Sequence, residues 1–148
     1  MRKTVSSITD IELESLYRLV EDRYPCTEST LLVSFSVPLA QPKERHRKGA
    51  GGRMYTPAKT AAAEEAIGLA FKNACRRHLP DGTTRWGLQV AVAGANAAAD
   101  VDNLAKTVMD GLQGVLYLND KQVDELHVRR LPGKTRRTEI TVYHLEER

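Results

Sequence analysis

Trp86-Gly-Leu-Gln-Val-Ala-Val-Ala93, Gly94-Ala-Asn-Ala-Ala-Ala99 and Asp100-Val-Asp102-Asn103-Leu104-Ala-Lys106-Thr-Val108-Met-Asp110-Gly-Leu112-Gln113-Gly114 form the run whose reading decides the fold. The first part alternates weakly and predicts a strand. The second is small and flexible. In the third, Leu104, Val108 and Leu112 recur at i, i+4 and i+8, which is one face of a helix from Asn103 to about Gln113. Asp102 is a good N-cap for that helix and Gly114 a natural C′ residue.

Outward from this run the same tests apply. Leu31 to Val37 alternates and predicts a strand closed by Pro38. Residues 39–57 carry Gly49, Gly51, Gly52 and two prolines without apolar periodicity, which predicts a long loop or arm. Thr56 and Pro57 suit the N-cap and first turn of a second helix. Its apolar stripe is read as Ala62, Ala66, Leu69 and Ala70. Val123–Leu131 and Thr138–Leu145 alternate and predict an antiparallel pair joined across Pro132-Gly133. Asp10 can cap an amphipathic helix running to about Arg23. The expected fold is therefore α+β: a small mixed sheet of about four strands, two core helices and an extra N-terminal helix. Residues 1–30 form a helical extension and residues 31–148 the main domain.

A chain of 148 residues can bury one core without staples. Cys26 and Cys75 have no disulfide-framework or metal spacing and read as reduced thiols. No apolar run spans a membrane, and the N-terminus lacks a secretory apolar segment, so a cytoplasmic protein is expected. The net charge is only +3, but the charge is clustered. Lys43, Arg45, Arg47, Lys48, Arg53 and Lys59 lie in one stretch. Arg129, Arg130, Lys134, Arg136 and Arg137 lie in another. Such stretches are the electrostatic footprint of nucleic-acid binding, or else solvated charged faces.

Between those stretches sit the acids. If extended, Asp100 and Asp102 point to one face, with backbones roughly 7 Å apart. Lys106 lies one helical turn beyond Asp102. Asp120, in Asn119-Asp120-Lys-Gln122-Val123, follows Asp102 by eighteen residues. Read one at a time, these acids are a cap, a loop residue and a turn residue. Read together, they suit a hard divalent cation such as Mg²⁺, which prefers oxygen ligands and promotes phosphodiester hydrolysis. Asp110, four residues past Lys106, can pair with it.

The pattern Asp-x-Asp-Asn-Leu-x-Lys at Asp100–Lys106, followed by Asp120-Lys-Gln122-Val123, resembles the RusA family of Holliday junction resolvases. Met109-Asp110-Gly111-Leu112-Gln113-Gly114 is similar to the family's helix end. Lys43-Glu-Arg45-His-Arg47 and Tyr55-Thr56-Pro57 are similar to its basic arm. The resemblance covers roughly Leu31 to Tyr143. It implies a homodimer that cleaves branched DNA, especially four-way junctions, with Mg²⁺, or Mn²⁺ in its place. It implies Asp100, Asp102 and Asp120 as catalytic metal ligands and Lys106 as the essential lysine. Lys43, Arg45, Arg47, Arg53 and Lys59 would contact DNA. Two departures stand out: the 30 residues before the first family strand, and Gly94–Ala99, where relatives often carry basic residues. A less selective branched-DNA (flap) nuclease and a non-catalytic junction binder are the competing expectations.

Overall fold

The computed structural model describes residues 29–45 and 47–146. The helix expected at Asp10–Arg23 lies outside the described residues. Among the described residues, six strands and two α-helices follow in chain order: β1 (Ser29–Val37), β2 (Arg47–Lys48), β3 (Met54–Tyr55), α1 (Ala58–Ala74), β4 (Arg85–Ala93), α2 (Val101–Leu112), β5 (Val123–Leu131) and β6 (Arg137–Leu145). The expected α+β class, with a four-stranded mixed sheet and two core helices, is what forms.

The main sheet has the order β1-β6-β4-β5. β4 pairs in parallel with β5 and antiparallel with β6, and β6 pairs antiparallel with β1. The expected β5–β6 hairpin does not form: β4 lies between the two. Alternation and a Pro-Gly turn cannot distinguish adjacent strands from strands separated by a third. The five-residue link instead crosses over the end of β4. Gly94, at φ +73°, makes room for it, since a Cβ there would stand 2.7 Å from the backbone of Thr135 and Arg136.

Alternation on β4 turns Trp86, Leu88, Val90 and Val92 inward, where they are buried. Ile140 and Val142 from β6 and Phe35 from β1 continue that layer. Both helices cover this face. The opposite face is polar, with Ser34 and Thr141 sharing a hydrogen bond of 3.1 Å.

α1 buries Thr60, Ala63, Ile67, Gly68 and Phe71, not the expected stripe. Leu69 is 53% exposed. Alanine supports helix on every face, so Ala62 and Ala66 carried no directional signal; Ile67 and Phe71 set the face. The helix starts at Ala58, one residue later than Thr56 as N-cap implied. α2 buries Leu104, Val108 and Leu112 as expected. It begins at Val101 with Asp100 as N-cap, so Asp102 stands in the first turn instead of at the cap. Gly114, at φ +90°, is the C′ residue.

The helices cross closely at two glycines. A Cβ on Gly111 would come within 2.9 Å of the Glu64 carbonyl oxygen, and one on Gly68 within 3.0 Å of that of Gly111. This contact holds Glu64 of α1 beside Asp110 of α2. The arm at 39–57 is not a bare loop. It folds back as a β2–β3 ribbon around a 3-10 turn at Ala50–Gly52, and its base is pinned by the Lys43 N–H donating to the Asn103 carbonyl at 2.9 Å.

Candidate active site

α2 borders an opening on each side. Asp102, Ala105 and Met109 look toward β5. With Asp100, Val101, Lys106, Leu126 and Val128 they line an open groove. Asn103, Lys106, Asp110 and Gln113 look toward the arm, where Lys43, Glu44, Arg45, Met54 and Asp120 complete a second cleft. Lys106 lines both.

The lysine is held at its tip. Its Nζ lies 2.6 Å from Asp120 Oδ2 and 3.1 Å from Asp110 Oδ1. Asp110 reaches on through Oδ2 to Lys43 Nζ at 3.0 Å, and Lys43 reaches Glu64 at 2.6 Å. Five side chains from the arm, both helices and the β5 approach thus form one chain of alternating charge. The hydrogen bond to Asp120 raises the Lys106 pKa above its ordinary 10.5, against partial burial, with Asp110 adding to the rise. For Lys43, burial opposes the charge, but the bonds to Glu64 and Asp110 outweigh it and raise that pKa too. Both lysines are therefore ammonium ions at neutral pH.

Asp120 owes its position to its neighbours. The Asn119 side chain accepts from the Lys121 N–H at 2.9 Å, capping the 3-10 turn Asp120–Gln122. Gln122 is buried. Its Oε1 accepts from the N–H groups of Leu118 and Asn119, both at 3.1 Å, and its Nε2 donates to the Thr84 carbonyl at 3.0 Å. The Tyr117 hydroxyl donates to the Met109 carbonyl at 2.6 Å and ties this segment to α2. The glutamine of the Asp-x-Gln-Val motif thus holds the loop that carries the aspartate.

Asp100 and Asp102 differ from Asp120. Both are exposed, and among the described residues neither carboxylate has a hydrogen bond or ion pair. The three expected ligands do not converge here: among the described residues no three acids, histidines or cysteines stand close enough together to hold a metal ion. Asp120 faces Lys106 from the arm side, and Asp100 and Asp102 line the β5 side. The donor chemistry still fits a hard cation, with oxygen ligands only and two carboxylates unspent.

The basic residues divide similarly. Lys43 is neutralised within the protein. Arg45 lines the arm cleft, whereas Arg53 and Lys59 are exposed outside it. Arg47 lies on β2, opposite Tyr55. Asp110 pairs with Lys106 as its spacing implied. Glu64, twenty-one positions from its partner Lys43, gave no sequence signal. Asp124, at the start of β5, pairs with Arg85. Among the described residues, no helix is long and apolar enough to cross a membrane.

A family model described as endodeoxyribonuclease RusA matches residues 36–143. No curated protein matches the chain. The match spans most of the chain and every acid and lysine of the site, and the chain belongs to this endodeoxyribonuclease family.

Proposed function

We propose that this member of the RusA family resolves four-way DNA junctions by paired phosphodiester hydrolysis with Mg²⁺, or Mn²⁺ in its place. The observation that carries the reading is Lys106, shared between a groove with two unpaired aspartates and a cleft with the third. Asp100, Asp102 and Asp120 would hold the metal. When bound, the ion supplies an activated water and charge neutralisation at the reacting phosphate.

The chain's own residues do the rest. The Lys106 ammonium offers a fixed positive charge to the phosphoryl oxygens as negative charge grows there. Asp110, 3.1 Å from the Lys106 Nζ, would keep that ammonium in place were Asp120 to hold the ion. Arg45, Arg47, Arg53 and Lys59 neutralise the phosphates of the flanking duplex, so affinity falls steeply with salt. Lys43 serves Glu64 and Asp110 first, and its part in DNA contact is indirect. Two opposed cuts in a two-fold junction call for two active sites, which a symmetric homodimer supplies. A role in recombination or repair goes with that substrate.

Incubating wild-type protein with labelled four-way junction, flap and linear duplex, each with Mg²⁺ and with EDTA, tests the reading. Paired symmetric nicks in the junction alone, only with Mg²⁺, are expected. Equal cutting of flaps would make it a less selective branched-DNA nuclease. Binding without cleavage under Mg²⁺ and Mn²⁺ would make it a junction-binding protein and contradict the proposal.

A further inference from the structure

The segment leading from β4 to Asp100, Gly94–Ala99, has no charged side chain. The β5–β6 link lies directly against it. The backbone of Thr135 and Arg136 presses on Gly94, and Arg130 Nη1 donates to the Asn96 carbonyl at 3.2 Å. Arg130, Lys134 and Arg136 are exposed there, and among the described residues none has an ion pair. Arg137 differs, being paired with Glu139 at 3.1 Å.

Strand geometry fixes where this charge faces. Leu126 and Val128 line the groove beside Asp100 and Asp102. Arg130 follows on the same face of β5, one repeat or roughly 7 Å further along. Arg129 points to the opposite, polar face of the sheet. The arm's cations lie on the other side of α2, across Asn103 and Lys106. Positive charge therefore flanks the acidic groove on both sides. No ion pair joins Arg130, Lys134 or Arg136 to Asp100 or Asp102 among the described residues, so neither set of charge neutralises the other.

We propose that Arg130, Lys134 and Arg136 form a second phosphate-binding rim that holds a nucleic-acid backbone across the groove from the arm. The rim supplies the positive charge that Gly94–Ala99 lacks. This rests on the DNA-cleaving reading above and extends it to a contact surface outside the acidic motif and the arm. Each phosphate neutralised releases counterions, so three contacts steepen the salt dependence of log K by about 2.7.

Fluorescence anisotropy with a labelled four-way junction in EDTA, from 50 to 300 mM salt, tests this without cleavage. The variants are R130Q/K134Q/R136Q and a charge-matched control, R76Q/R77Q/R129Q. Arg76 and Arg77 lie past α1, toward the start of β4, and Arg129 lies on the polar face. K134Q/R136Q leaves the Arg130–Asn96 bond intact, should the triple change disturb the link. For the rim variant, we expect a salt slope shallower by about 2 to 3 and a Kd higher by roughly 10- to 100-fold at 0.1 M salt. K134Q/R136Q should lose about two units of slope, and the control should change Kd less than about threefold. Equal losses in rim and control variants would overturn the rim while leaving the nuclease reading intact. A wild type that binds no junction would overturn both, and that result appears before any variant is compared.

Discussion

The two ends of β4 spend their charges differently. At its start, Asp81, Arg85 and Gln122 are satisfied within the protein, while among the described residues the buried Trp86 indole N–H has no hydrogen-bond partner. Asp81 accepts from the Thr83 and Thr84 N–H groups and the Thr84 hydroxyl, at 3.0, 2.8 and 2.6 Å. Arg85 is clasped by Asp124, and Gln122 closes three backbone groups. At its finish, the Asp100 and Asp102 carboxylates have no hydrogen bond or ion pair among the described residues, and neither Lys134 nor Arg136 has an ion pair there. Buried and loop polar groups are normally paired, because an unmade bond costs more than a made one gains. The charges at the finish are exposed and solvated, so they stay open to a ligand at no cost to the fold. Lys106 lies between these extremes, paired yet 45% exposed and adjacent to both clefts.

That contrast can be broken by exchanging the roles. Lys106→Met should lower junction cleavage by about 10²- to 10³-fold, the loss expected when one fixed stabiliser of transition-state charge is removed. Its melting temperature should move by only a few degrees, because the lysine side chain is 45% exposed and water screens its ion pairs. A large loss of stability with intact cleavage would assign Lys106 to the holding end instead.

Gln122→Leu should act the opposite way. It leaves the Asn119 donor and the Thr84 acceptor without partners, and the Leu118 N–H with only the Asp81 carbonyl at 3.2 Å, costing about 1–3 kcal/mol of stability in a urea titration. Cleavage should fall only as Asp120 loosens. An unchanged unfolding midpoint would show that these bonds do not hold the loop.

Gly111→Ala sharpens the link between the helices and the ion network. Overpacking against the Glu64 carbonyl and Ile67 should cost about 1–3 kcal/mol and shift Glu64 away from Lys43. Thermal unfolding measures the first, and a crystal structure of the variant the second. A melting curve like that of wild type would mean that the helices separate freely.

The smallest effect is the acid limb. Hydrogen bonds from the Thr84 side chain and the Thr84 and Thr83 N–H groups lower the Asp81 pKa from 3.8 to about 2. A carboxylate depressed on folding adds stability that is present above its unfolded value and lost as pH falls through its folded value. Wild type should therefore lose a small increment between about pH 4 and pH 2 that Asp81→Asn does not show, as pH-dependent melting can detect. Junction cleavage at neutral pH should be the same for both.

Much of the fold could be read from periodicity. Alternation marked β1, β4, β5 and β6, and the i, i+4, i+8 leucines and valine marked the face of α2. What failed was what periodicity does not carry. The neighbour of a strand depends on the crossover, and only Gly94 hints at the link that passes over β4. Alanines at Ala62 and Ala66 satisfy any helix face. The candidate site was legible as far as local spacing reaches: Asp100 with Asp102, and Lys106 with Asp110. The Lys106–Asp120 contact depends on a loop returning to α2, and Lys43–Glu64 on how closely two glycines let the helices approach. Neither follows from distance along the chain.

The central claim is that the unspent acids beside Lys106 form a nuclease centre. Cleavage of a labelled four-way junction with Mg²⁺, by wild type and by Asp102→Asn, with junction affinity measured in parallel in EDTA, tests it most directly. Paired nicks from wild type alone, with affinity kept or increased in the variant, are predicted, because the substitution removes negative charge near phosphate and spares every packing contact. Undiminished cleavage by Asp102→Asn would contradict the account.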